Sequence, residues 1–424
     1  MRPWLRTAFA LAAAFLAAAG LSSAQEPVPV SELAEWLPVT PMPQQTGLVA
    51  LRPIRLRYVH PEPALFSRRH VDAPADGSIR AVYVNAWAFG TQKLWTLIRL
   101  ADETEINAFV IDVKDDTGCL LYPSAVLVAV DIGANRCARA RDLSARLDSL
   151  KAHDIYPIAR IVVAKDPLLA RGKPQWAVRH VSGGLWTDRL GFAWVDAYND
   201  SVWAYAADLA REAIELGFRE IQFDYVRFPD EPAAVLASAR FTARRNGETK
   251  RAAVRRQLQL LADEVKPLGV PFTIDVFGLT TNAVVDIGVG QVWEDLVQVA
   301  DVVLPMVYPS HYRRGAYNIS HPNSEPYRTV RLAVRDGLTR NLEIPVAAEV
   351  RPYLQAFTLG RPRYTSHEIR EQIRAVEDLG LKSWVLWNPR SVYQRGSLRP
   401  YPAVVRAVSS KPELVRPVIE LNQP

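Results

Sequence analysis

Residues 220–230 read EIQFDYVRFPD, an aliphatic and aromatic run with one aspartate, Asp224, at its centre. A strand buried on both faces is a nearly continuous apolar run, so an acid inside it is either paired in the core or placed for chemistry. Side-chain alternation sets Gln222 and Asp224 on one side and Ile221 and Phe223 on the other. Which side is the interior depends on what the rest of the chain builds around this strand.

Outward from it, β-branched runs recur at 81–86, 108–113, 156–163, 271–277, 302–308, 344–350 and 383–388, separated by longer segments of helical period. The clearest of these predict helices over 201–216, 250–265 and 366–379. Eight such units between residues 79 and 392 predict a (β/α)8 TIM barrel. The alternative, an open doubly wound sheet, lacks a glycine fingerprint after its first strand. Helix-to-strand turns such as LGF (216–218) are tight, whereas the strand-to-helix segments 164–198 and 309–326 are long and carry tryptophans, tyrosines and His311. In a barrel those long loops lie at the C-terminal mouth. Asp224 then faces the interior near that mouth, and the same alternation puts Asn85, Asp112, Arg160, Asp275, Tyr308, Glu349 and Asn388 at the ends of the other strands. Several converging carboxyls raise one another's pKa and make acid/base roles available.

The flanks read differently. Residues 1–24 carry Arg2 and Arg6, then an apolar run from Ala8 to Leu21 and a Ser22-Ser23-Ala24 end, the pattern of a secretory leader cut before Gln25; an uncleaved anchor is the alternative. No later segment is apolar enough to span a bilayer, so the mature chain is expected in the periplasm or secreted. Residues 25–78 hold nine prolines and read as an extension, as does the tail 393–424. Removal of the leader takes the net charge of +6 to about +4, too dilute to argue for a nucleic-acid partner. The two cysteines, Cys119 and Cys137, are expected to pair in an oxidising compartment, which stabilises by about 3 kcal/mol for a loop of this length.

Absences narrow the chemistry. HExxH, GxSxG and clustered CxxC are missing, which argues against zinc hydrolysis and serine esterase chemistry, and no cofactor or metal is expected. The stretch DVKDD (112–116) has Lys114 among its acids and reads as a solvated loop in preference to a cation site. What remains is chemistry by a pair of carboxyls with aromatic walls, of which glycoside hydrolysis is the best-known form.

The stretches VYVNAWAFG (82–90), NAFVIDVKDDTG (107–118), EIQFDYVRFP (220–229), VLPMVYPSHY (303–312) and VLWNP (385–389) together resemble a bacterial glycoside-hydrolase-like domain family of unknown function, related to the α-amylase-type barrels. The resemblance covers residues from about 79 to 390 and implies an exported barrel acting on polysaccharide or oligosaccharide. It implies Asp224 as nucleophile, Asp275 as general acid/base and Glu349 as a stabiliser. The sequence departs from the α-amylase pattern, which has Glu on strand five, Asp on strand seven and an arginine where Gln222 stands. Asp275 reaches less far than a glutamate, so Glu349 and Asp112 stay open as proton donors. Asn85, Trp87, Asp112, Lys114, Arg160, Tyr225, Arg227, Tyr308, His311, Trp387 and Asn388 are the candidates for holding substrate. A barrel that binds glycans without cleaving them is the second functional reading.

Overall fold

A computed structural model describes residues 73–74 and 77–401. The leader and nearly all of the proline-rich extension lie outside the described residues, as does the tail beyond 401.

Strands β1 (Arg80–Val84), β2 (Ala108–Lys114), β3 (Tyr156–Val162), β4 (Glu220–Asp224), β5 (Phe272–Phe277), β6 (Val302–Met306), β7 (Glu349–Val350), β8 (Tyr353–Gln355) and β9 (Trp384–Trp387) form one parallel sheet. It closes on itself through β9 beside β1, with Trp384 opposite Arg80, and through β8 between β6 and β9, with Tyr353 opposite both Met306 and Val385. β7 and β8 are two pieces of one stave, so the barrel has eight staves, as expected. Helices α1 (Lys93–Glu103), α2 (Leu143–Ala152), α3 (Asp200–Leu216), α4 (Lys250–Val265), α5 (Trp293–Val297), α6 (Pro326–Asn341) and α7 (Ser366–Glu377) connect successive staves on the outside.

Two apolar layers hold these elements. Ala81, Val110, Ile158, Leu304, Tyr353 and Val385 fill the barrel, while Val82, Phe109, Ile161, Phe223, Ile274 and Leu386 pack outward in the larger core that includes the helices. Both faces of β2, β3, β4 and β5 are buried, which is why apolar residues dominate β2, β3 and β5, while β4 alternates Ile221 and Phe223 with Glu220, Gln222 and Asp224. Local signals set the helix ends: Asn199 accepts from the Ser201 N–H at the start of α3, Gly217 takes the left-handed conformation at its end, and Thr365 and Glu368 form a reciprocal capping box on α7.

Two sequence expectations change. The apolar run 344–350 predicts a strand, yet Val346 is exposed and parallel pairing begins only at Glu349, opposite Val302. The stave then runs on to Gln355 and is interrupted at Arg351-Pro352, where proline has no N–H for the ladder. Residues 393–401, read as the start of the tail, pack on the barrel instead. Tyr393 donates to the backbone of Tyr83 and Leu386, Leu398 is buried, and Pro400 pairs with Thr104 below α1. This strap lies where an eighth helix would stand among the described residues.

Candidate active site

β-strand alternation aims one side chain of every second residue into the barrel, and the stagger of the staves decides which of them meet. Asp112 on β2 pairs in register with Arg160 on β3, which pairs with Gln222 on β4, and Asp224 stands two residues further along. The Arg160 guanidinium therefore lies among three acids. Its Nη1 donates to Asp112, its Nη2 and Nε to Asp224 (Nε at 3.1 Å), and the same Nε lies 3.6 Å from Asp275 Oδ2. The cation beside Asp224 thus comes from the neighbouring stave and not from its own.

The backbone completes the aim of Asp224. Tyr225, the next residue, takes a positive φ of 53°, a strained conformation for a tyrosine, and its N–H donates to Asp224 Oδ1. Asp275 has different company. Gln222 Nε2 lies 2.8 and 3.0 Å from its two oxygens, and its ion pair with Arg160 is the longer one, at 3.6 Å. Its carboxyl is held well above the ordinary carboxylate range, first by burial, then by the negative charge of Asp224, with Arg160 opposing and a hydrogen bond to Asp224 adding to the rise. Burial also raises Asp112, against the pull of Arg160 and of the hydrogen bond donated by Tyr83.

Aromatic rings rim this cluster. Trp387 stacks on Tyr308 at 5.3 Å and 17°, and Phe357 meets Trp387 edge-on at 5.1 Å. His311 lies 5.3 Å from the Tyr308 ring, and burial pushes its imidazole down to about 4.

Of the residues expected at the mouth, Asp112, Arg160, Asp224, Asp275, Tyr308, His311 and Trp387 do come together or adjoin. Others do not. Glu349 is exposed at the opposite, N-terminal end of the barrel, beside Arg351 and Glu220, because its stave begins there; the stabiliser role implied by the resemblance has no geometry behind it. Lys114 follows a register shift in β2 and turns toward α3, where it pairs with Asp166 at 2.7 Å under the Tyr205 ring. Asn85 caps the short helix Ala86–Phe89 and donates to Pro389 O, and Asn388 donates to Ala356 O, so both tie loops together. Trp87 is 52 % exposed on that short helix, outside the rim formed by Trp387. Arg227 is buried against Tyr225, Trp194 and Phe277, with its guanidinium 4.6, 5.4 and 4.4 Å from their rings.

The stretch DVKDD is no solvated loop either. Asp116 pairs with Lys165 at 2.8 Å, while Asp115 is buried, accepts from Thr117 and Cys119 N–H groups, and is pushed up to about 7 by burial and by Asp116. Gly118 makes this fold possible: at φ 86° its Cα lies so near Asp166 that a Cβ would fall 2.1 Å from the carboxyl oxygen. Beside it Cys119 and Cys137 form the expected disulfide, with Cα atoms 5.7 Å apart. Among the described residues no group of three or more His, Cys, Asp or Glu side chains is arranged to hold a metal ion.

Sequence reasoning missed Tyr83, Gln222, Tyr353 and Phe357. Strand alternation does place Tyr83, two residues before Asn85, and Gln222 inward, but neither type announces a role. Tyr353 and Phe357 were hidden by the misplaced seventh strand.

The family described as "Putative glycosyl hydrolase domain" matches residues 81–393, and the chain belongs to it. No curated protein matches the sequence. A hypothetical protein from Ruminiclostridium thermocellum ATCC 27405 is 36% identical over 43% of this chain and 92% of its own, with a TM-score of 0.40. An α-galactosidase from Thermus thermophilus is 15% identical over 77% of this chain and 60% of its own, with a TM-score of 0.42. The Bacillus megaterium QM B1551 spore cortex-lytic enzyme SleL is 12% identical over 76% and 72%, with a TM-score of 0.45.

Proposed function

We propose that this member of a glycosyl hydrolase family hydrolyses an extracytoplasmic polysaccharide or oligosaccharide, with Asp224 as nucleophile and Asp275 as general acid/base. The observation that carries the reading is the unequal treatment of two adjacent carboxyls: Asp224 is ion-paired with Arg160, and Asp275 is buried so that it keeps a proton. A carboxyl whose pKa is raised, standing beside an ion-paired one, makes a general acid and a nucleophile available side by side. The two carboxyls stand within hydrogen-bonding reach of each other, short of the about 6.5–9.5 Å that an inverting pair needs for its water, so the retaining course is the one proposed. Asp275 gives its proton to the glycosidic oxygen as the C1–O bond breaks and Asp224 bonds to C1. Water then attacks C1, its proton returns to Asp275, and the bond to Asp224 breaks. Trp387 and Phe357 offer the apolar surface on which a sugar ring packs. The leader pattern and the disulfide support an oxidising, exported setting.

A non-catalytic glycan-binding barrel is favoured by one observation: Asp224 and Asp275 are only 5 % and 2 % exposed, with both oxygens of Asp224 already engaged. Incubation of the purified mature protein with a panel of polysaccharides separates the two. Released reducing ends with retained anomeric configuration are expected; glycan retention without release on every substrate selects the binding reading.

A further inference from the structure

Gln222 is fully buried inside the barrel, and its amide faces the carboxyl of Asp275. Besides the two Asp275 oxygens, its Nε2 lies 2.6 Å from the Tyr353 hydroxyl. Its Oε1, also buried, has no hydrogen-bonding partner among the described residues. Stranding an acceptor in a sealed core is costly, and here it lies on a group that needs only a half-turn to exchange acceptor for donor. The two ends of an amide suit the two states of a carboxyl: an NH2 donates to a carboxylate, and a carbonyl oxygen accepts from a carboxylic acid. The charged groups facing Asp275 do not have this duality, and the tyrosine hydroxyls, which can donate or accept, carry it on a single oxygen. Arg160 on β3 only donates, Asp224 on β4 supplies negative charge, and Tyr308 and Tyr353 present hydroxyls from β6's end and β8.

We propose that Gln222 is the positioning residue of Asp275: anchored by Tyr353, its amide orients the carboxyl and turns over as that carboxyl gives up and regains its proton. The inference rests on Asp275 being the acid/base of the proposed hydrolysis. Gln222 transfers no proton itself. The proton passes from Asp275 to the leaving oxygen and returns from the attacking water, while the amide presents NH2 to the charged form, the arrangement seen here, and turns Oε1 to the neutral one.

Infrared difference spectroscopy on the whole folded protein tests this without a substrate. The Asp275 carboxyl stretch is assigned by its disappearance in Asp275→Asn, and its position is compared in wild type and Gln222→Met. A displaced stretch is expected, with the ionisation of Asp275 moved to higher pH, because N–H donation to the charged form is lost. An unmoved stretch overturns the proposal. If Gln222→Met loses its near-UV circular dichroism, Tyr353→Phe replaces it; freeing the amide from its anchor should move the band the same way by less, and an unmoved band again overturns it. On a cleaved substrate, Gln222→Met should lower kcat about tenfold or more with KM nearly constant and shift the basic limb of the pH profile. A shifted band in a protein that cleaves nothing leaves Gln222 as the group that positions the Asp275 carboxyl but removes the hydrolase reading and the turnover of the amide with it; an unmoved band in an active enzyme overturns the Gln222 inference and leaves the hydrolase reading.

Discussion

The two ends of the barrel handle buried charge in opposite ways. At the N-terminal end Glu220 meets Arg351 one to one at 2.7 Å, both nearly inaccessible, and the second acid nearby, Glu349, is left exposed to solvent. At the C-terminal end Asp112, Asp224 and Asp275 all crowd one guanidinium, that of Arg160. A balanced pair closes a core; a surplus of acids cannot all ionise in a dry site, and one of them must hold a proton. The same residue types therefore make a balanced plug at one end and an acid-rich cluster around one base at the other, and the difference is stoichiometry.

The comparison breaks most directly at Asp224. Asp224→Asn keeps the shape and leaves Arg160 its bond to Asp112, so the fold should survive while turnover falls by on the order of 10⁴-fold, the upper end of what one positioned carboxyl contributes. Steady-state kinetics on any substrate found by the panel checks this, and retention of more than a tenth of wild-type kcat would remove Asp224 from the chemistry. Next in size is the plug. Arg351→Met leaves Glu220 buried without its partner, and denaturant unfolding should show a loss of about 3–5 kcal/mol, with kcat of the folded fraction unchanged. A stability change below about 1 kcal/mol would mean that this end is no more structural than the other.

The disulfide sharpens the contrast from a third position, above β2. Cys119→Ala with Cys137→Ala should cost about 3 kcal/mol, as expected for releasing a loop of 18 residues. Equal midpoints with and without reductant for the wild type would rule that out. The smallest expected effect is at His311 on the aromatic rim. Its folded-state pKa is depressed to about 4 from an ordinary 6.5, so the unfolded chain binds its proton first. Its contribution to stability is therefore present above about 6.5 and is lost as pH falls toward 4, by up to about 2–3 kcal/mol. His311→Phe should flatten the stability profile in that window relative to wild type, and parallel profiles would show that His311 titrates normally.

Legible from the residues alone were the number of staves, the helices over 201–216, 250–265 and 366–379, the pairing of Cys119 with Cys137 and the inward set Asp112, Arg160, Asp224 and Asp275. Each of these follows from a local rule: a period of two, a period of 3.6, a cap, or the count of thiols. Height within the barrel follows from no local rule. Glu349 and Asp224 look alike as acids at the ends of apolar runs, but the start of each paired ladder and the stagger of the closed sheet send one to the floor and the other to the mouth. Partnership is equally non-local. That Arg160 serves three acids, that Lys114 leaves the mouth for Asp166 and that Gln222 meets Asp275 and Tyr353 depend on contacts between residues far apart along the chain. Burial then sets the protonation of Asp275, and burial is a property of the assembled barrel, since no single strand can exclude water from its own side chain.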